Sequence, residues 1–486
     1  MTGRHEVPLI LRGQAAATIV TVGLGLLVLV GGLSVVTYIA TGTWWLPGFQ
    51  KTPPALTSEP FSLGDLIKIS LALVAGVGAA VGLVTTYRRQ ALSEREERAA
   101  DVLRFDQRFA SAAAQLGGAT PANRIAGVYA VAALADQYPR HRQQCVDVLC
   151  GYLRLPFNPD EDGIATTETT VVTSTQDRTV TERTLPARTP HDLEVRHTIQ
   201  LVIADHLRDP DSATSWTPMT LNLRGAHLHD ATFFSCNFGA SEFSDAIFAG
   251  DSVFVGAAFA RDAVFLGASF AGDAVFLGAS FAEDAMFNCA TFTGIAWFDD
   301  ATFTGNAWFS SASFTGNGKF NPAIFSRDAD FHQASFNKEA RFNHARFNSQ
   351  ANFNSATFTG NAMFNSATFS RDADFHQASF NKEARFNHAR FNSQADFNSA
   401  GFTGDAMFNS ARFNRQANFA GASFTDARFE DSSFTEDAWF TDATFDLCAR
   451  FVGTTFTGGA WFDGATFANE SDRPVWPPPQ DDETAT

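Results

Sequence analysis

The sequence predicts a mainly β chain, a long four-sided coil of short parallel strands preceded by two transmembrane helices and a small α-helical module. Three observations predict it. A large apolar residue, almost always Phe, returns every five or six positions from Leu223 to Phe467. Two long apolar runs lie within the first 87 residues, and the stretch between them and the coil has helical apolar spacing. The 486 residues include 50 Phe but only 5 Tyr, a bias that points to internal repetition rather than to an ordinary core. An apolar content of 45% excludes a wholly disordered chain, and five scattered cysteines exclude a disulfide scaffold.

Residues 1–16 are the expected cytoplasmic N-terminus. No charged residue occurs between Gln14 and Gln50, and residues 17–40 are almost continuously apolar, enough to cross a hydrocarbon core of about 30 Å as a first transmembrane helix. Residues 41–66 form an external loop with Trp44 and Trp45 at its interface, and residues 67–87 form a second span closed by Arg88 and Arg89. Basic residues flank both outer ends, so the positive-inside rule places both ends, and everything after residue 87, in the cytoplasm of a multi-pass plasma-membrane protein.

Residues 88–157 form the cytosolic helical module. Its first helix stops at Gly117 and Gly118, its second opens with Thr120 as N-cap and Pro121 as first helical residue, and its third closes near Pro156. Cys145 and Cys150 are five apart on that third helix, a spacing that suits buried thiols better than a metal or redox pair. Residues 158–190 hold ten Thr and few large apolar residues, which predicts a linker or at most a small hairpin. Residues 191–220 supply a helix with Val195, Ile199, Val202, Ile203 and Leu207 on one side, placed to cover the first coil.

Residues 221–470 are the coil. From Phe248 to Phe419 the Phe spacing alternates 6, 5, 6, 5, and only Phe424 to Phe429 is a residue short. Neither a helix nor a flat strand has such a period, so each segment is one side of a coil that turns a corner, and four sides make 22 residues. The duplication agrees. Residues 326–369 recur at 370–413 with 40 of 44 positions identical, which is two whole coils. The same step aligns Asn321, Asn343, Asn365, Asn387 and Asn409 as an amide ladder. Residues 471–486 are the expected disordered tail.

The LNLRGAHL stretch (Leu221–Leu228) and the FNSATF and FHQASF units resemble the pentapeptide-repeat proteins. That resemblance implies a right-handed quadrilateral parallel β-helix and brings no catalytic residue with it. The stretch from Arg124 to Leu153 is similar to the helical region of membrane-anchored pentapeptide-repeat proteins of actinobacteria.

Chemistry is sparse. Thr315–Lys319 (TGNGK) lacks the Ser or Thr and the following helix of a phosphate loop, and His227, His229 and Asp230 read as surface residues rather than metal ligands. His332, His344, His376 and His388 are two residues and their copies, with Asn354 and Ser366 between them in coil register. No catalytic set, cofactor fingerprint or metal site emerges, so the expectation is no enzyme, no cofactor and no metal. Residues 221–470 carry 27 acids and 15 bases, concentrated so that the middle is nearly neutral.

The candidate interaction surface is apolar. Val253, Val275 and Trp297 align on one side, Val264, Met286 and Trp308 on the opposite one, with Leu266 and Leu277 nearby, and Trp439 with Trp461 forms a later pair suited to a homodimer. The functional expectation is a membrane-anchored rigid scaffold for an unidentified protein partner, without direct nucleic-acid binding. The alternative is a DNA-mimic inhibitor of a type II topoisomerase.

Overall fold

The computed structural model describes residues 63–157, 167–174, 177–184 and 191–474, together with Gly32. The chain divides into two compact units, Met1–Arg104 and Phe105–Thr486. Four α-helices are described: α1 (Leu63–Leu116), α2 (Pro121–Gln137), α3 (Arg142–Leu153) and α4 (His191–Arg208). Thr120 caps α2 by accepting the Asn123 amide, with Pro121 at the first helical position. Two strands, β1 (Thr167–Ser174) and β2 (Asp177–Thr184), pair antiparallel within the Thr-rich segment.

The membrane reading is corrected here. Among the described residues no helix is long and apolar enough to cross a membrane, which overturns the two transmembrane helices and the multi-pass plasma-membrane placement. The first expected span, residues 17–40, lies outside the described residues except for Gly32. The second, residues 67–87, falls within α1, a helix of 54 residues. The rest of α1 is charged, with exposed pairs between Arg98 and Glu94 and between Arg104 and Asp101.

The coil has the four sides read from the Phe spacing. In one turn, Ala263–Val264 lies on side 1, Ser269–Phe270 on side 2, Ala274–Val275 on side 3 and Ser280–Phe281 on side 4. In the regular coils each strand pairs in parallel with the one 22 residues on, as in Ala263 with Ala285 and Ser280 with Thr302, and the step shortens to 20 or 21 at the first coil, as in Leu221 with Ser241, and at the shortened coil after Arg412, as in Arg412 with Ser433. Side 1 is a 12-stranded sheet and side 4 an 11-stranded one. Sides 2 and 3 join into a 19-stranded sheet, because Gly401–Met407, Ser423–Arg428 and Thr444–Arg450 run unbroken around their shared corner. The shortened Phe spacing after Phe424 is absorbed by a register shift between Phe424 and Asp426.

Phe fills the axis. Like-sided rings stack at one coil's rise, as Phe331 on Phe353 at 4.8 Å and 1°. Rings from sides 1 and 3 meet edge to face, as Phe331 with Phe342 at 5.4 Å and 86°. Such aromatic pairs add about 0.5–1.5 kcal/mol beyond their buried area. The small residue two positions before Phe, usually Ala, is also buried, as at Ala329, Ala351 and Ser252, so it fills the inside of the corner.

The two kinds of corner explain the alternation of five and six. In the alternating coils the five-residue step is a tight turn whose third residue takes a positive φ, as Gly267 (64°), Ser311 (57°) and His344 (59°), with Pro322 the exception, and the turn closes by hydrogen bonds such as Ala268 N to Phe265 O at 3.1 Å. Each six-residue step is an open bend, where backbones of successive coils touch at some positions. A Cβ on Gly316 would lie 2.0 Å from the Gly294 carbonyl oxygen.

The polar ladders run between coils. The expected Asn column is in register, but its amides do not stack on one another. Asn321 Oδ1 accepts the Asn343 N–H at 2.7 Å, and Asn343 Oδ1 accepts that of Asn365 at 3.0 Å. Asp251, Asp273, Asp262 and Asp284 likewise accept the backbone N–H of the residue one coil later. Each such bond satisfies a backbone donor at a corner, the Asn bonds at tight turns and the Asp bonds at open bends.

Helices α2, α3 and α4, with the end of α1 from Phe105, close the first coil. Arg142 is buried and donates to the carbonyls of Ala135, Ala213 and Ser215. Asp192 joins Arg124, Tyr152 and Arg196, and Arg196 reaches the Leu153 and Leu155 carbonyls. Trp216 is fully buried and stacks on His206 at 4.2 Å.

Candidate interaction faces

The short strands decide which side chains face outward. In each pair one residue turns in and the other out, so a column of outward residues rises along every side at one coil's spacing, about 4.8 Å. Val253, Val275 and Trp297 pair in sequence on side 3, and Val264, Met286 and Trp308 on side 1. All six are half-buried by their neighbours. Side 3 then turns polar, with Lys319 placed over the Trp297 ring at 3.3 Å, a cation–π contact. On side 1 the Trp308 indole N–H donates to Asp284 at 3.3 Å. Leu266 and Leu277 sit on the tight corners beside these columns. Trp439 and Trp461 pair on side 1 in the last coils, and Trp461 is 47% exposed.

The helical module meets the end of the stack and not these sides. Gln143 bonds Thr220 in both directions, Asn237 donates to the Leu207 and Arg208 carbonyls, and Cys236 lies against the Ala204 carbonyl. None of these contacts involves the apolar columns.

The remaining candidates fall into structural places. Burial pushes the Cys145 thiol up to about 11 and the Cys150 and Cys236 thiols to about 12, so all three stay protonated. His344 and His388 occupy positive-φ corners, and Ser366 stands between them. His229 contacts Asp230 at 2.8 Å, while burial and then Arg196 lower the pKa of His227. No group of three or more His, Cys, Asp or Glu positioned for a metal occurs among the described residues.

Two functional features escaped the sequence reading. One is the carboxylate-to-backbone ladder, whose signal is an Asp or Asn three positions after every second Phe. The other is a basic side. Arg346, Arg390 and Arg412 project from side 4 and are exposed, although the middle coils are nearly neutral in sum. Their 22- and 44-residue spacing was the available signal.

The repeated corner geometry, the stacked Phe and the 22-residue register agree with one comparison. The family model described as pentapeptide repeats (9 copies) matches residues 254–302, 298–346, 320–368, 331–379, 353–401, 364–412, 398–444 and 429–472. The coil belongs to the pentapeptide-repeat family. No curated protein and no solved structure matches the chain. A pentapeptide-repeat solenoid is consistent with a non-catalytic scaffold or interaction protein.

Proposed function

We propose that the pentapeptide-repeat solenoid is a rigid, non-catalytic display surface whose early coils bind a protein partner. The observation that supports this is the pairing of a closed core with apolar outward columns. Phe254 to Phe309 are buried to within about a per cent, while Val275, Met286, Trp297 and Trp308 keep part of their surface in water on two opposite sides. A surface held by a stacked core loses little conformational freedom on binding, so apolar contact there converts to affinity with a small ordering cost. Trp439 and Trp461, on side 1 at the far end, are proposed to contact a second copy.

The test is site-specific photo-crosslinking. A crosslinking residue at Val275 or Met286 is expected to capture the same protein, one absent when the residue stands at Asn352. Equal capture from all three positions would refute the reading. For the second-copy contact, Trp461→Ser is expected to shift the sedimentation of the chain toward monomer. The competing reading, a DNA mimic directed at a type II topoisomerase, requires continuous negative charge along the rod. The exposed arginines of side 4 interrupt it.

A further inference from the structure

Side 4 of the middle coils carries an arginine zigzag on a chain of net charge −17. Arg346, Arg390 and Arg412 occupy the column before the buried Phe, and Arg327, Arg371 and Arg415 the column two positions after it, so each of five successive coils presents at least one. All six are exposed. Arg415 is held by Glu436 one coil on. The other five make no ion pair among the described residues. The acids that belong to this side, Asp328 and Asp372, are engaged by the Ser349 and Ser393 hydroxyls at 2.5 Å. Between the arginines lie the exposed Asn348, Asn392 and Asn414. The surface is thus a row of planar cations and amides without an outward aromatic ring. It suits carboxylates along an extended segment better than bases, which need rings to stack on.

We propose that this arginine side is a docking surface for an acidic peptide segment, and that the chain's own Asp481-Asp482-Glu483 occupies it in the free protein. Charge complementarity, exit direction and reach carry the proposal. The chain leaves the last coil past Asp472, whose carboxylate accepts the Ala449 N–H on side 3, and side 4 is the next side in the direction of travel. From the last rung of side 4 at Thr455, the pairing runs to Ser433 and then to Arg412, two rungs or about 10 Å down. Seven residues, Val475 to Asp481, span up to about 23 Å, enough for the acids to reach Arg412 and, a third rung or about 14 Å from Thr455, Arg390. Each exposed pair is weak and screened by salt. The tether raises the effective concentration to the millimolar range, which makes the closed form a salt-sensitive one. An external acidic partner would then compete with the segment. The proposal is independent of the apolar columns discussed above.

The test is energy transfer within the full chain, in a Cys289→Ser, Cys448→Ser background. One label is placed through Thr484→Cys and the other through Thr368→Cys, inside the zigzag, or through Thr357→Cys on the opposite side 2. Transfer from Thr368→Cys is expected to exceed that from Thr357→Cys at low salt and to fall about threefold at 0.5 M salt. The same fall is expected for the joint neutralisation Asp481→Asn, Asp482→Asn and Glu483→Gln, and for Arg346→Gln, Arg390→Gln and Arg412→Gln. Equal transfer from both sides, or transfer indifferent to salt and to neutralisation of the acids, would overturn the proposal. So would displacement of the segment by a single-stranded oligonucleotide but not by a poly-glutamate peptide of equal charge, which would assign side 4 to nucleic acid.

Discussion

The two ends of the coil stack are closed by different means. At the first coil, α4 and Trp216 cover the entry, and Leu221, Leu223 and Phe233 are as fully buried as any ring in the middle. At the last coil, among the described residues, one short turn, Glu470–Asp472, does the closing, with Arg473 reaching the Phe462 carbonyl at 3.3 Å. There Phe462 and Phe467 retain 7% and 9% exposure, and Val452 is 75% exposed. A solenoid's stability is a sum over coils and their interfaces, so a coil with a neighbour on one side only holds about half the interface of an interior one. The contrast teaches that cooperativity here is directional, with fraying expected from the C-terminal end.

The largest expected effect separates the middle from that end. Phe353→Ala removes a ring with stacked neighbours on both sides, Phe331 and Phe375, and is expected to cost about 3–5 kcal/mol, read by denaturant unfolding. Phe467→Ala has one stacked neighbour, Phe445, and is expected to cost less than half as much. Equal costs would show that the ends are held as firmly as the centre. Next in size is the N-terminal closure. Arg142→Met leaves the Ala135, Ala213 and Ser215 carbonyls without their donors, a loss of about 1–3 kcal/mol for the buried groups. Hydrogen exchange is expected to speed up in the coils near Leu221 first and leave those near Phe440 unchanged.

How much of this was legible follows from what each residue does. Phe spacing encodes the number of sides, because only an inward large residue recurs at every side, and the two-coil duplication fixed the register. The corners were less legible, since the positive-φ position is filled by Gly, Ser, Asp, His, Gln and Cys alike, with the common factor in the backbone and not in the side chain. The arginine side was hidden by summing charge along the chain, when the relevant sum runs along one column. At the early coils, alignment of Val253, Val275 and Trp297 was readable from the 22-residue step, whereas the Lys319 contact that ends the column needed coordinates.

A smaller effect tests the middle of the stack by pH. Burial raises the pKa of Asp299, against the opposing hydrogen bond from the Asn321 amide and the attraction of Lys319. A carboxyl with a raised folded pKa binds its proton more tightly in the folded state, so its ionisation destabilises the fold as pH rises from the ordinary aspartate range up to the raised value. Asp299→Asn keeps an acceptor for Asn321 and is expected to raise the unfolding midpoint at pH 7. The gain should vanish below the usual aspartate pKa, where Asp299 is protonated in both states. A gain that persisted at low pH would assign the effect to packing.

The smallest expected effect strengthens the interior without touching the ends. Gln333 and Gln377 hold φ of 55° and 56°, which costs an L-residue other than Gly, Asn or Asp about 1–2 kcal/mol of strain. Gly267, in the same corner column at φ 64°, shows that a residue without a side chain fits there. Gly loses more chain entropy on folding, up to about 1 kcal/mol, so Gln333→Gly is expected to yield a net gain of only some tenths of a kcal/mol. Doubling it with Gln377→Gly, two coils away and without shared partners, should add the same again. Because the added stability lies between the ends, exchange near Phe467 should keep its rate while exchange near Phe353 slows. Slower exchange at both places would mean that the stack opens as one unit, and the directional fraying inferred from the unequal ends would be wrong.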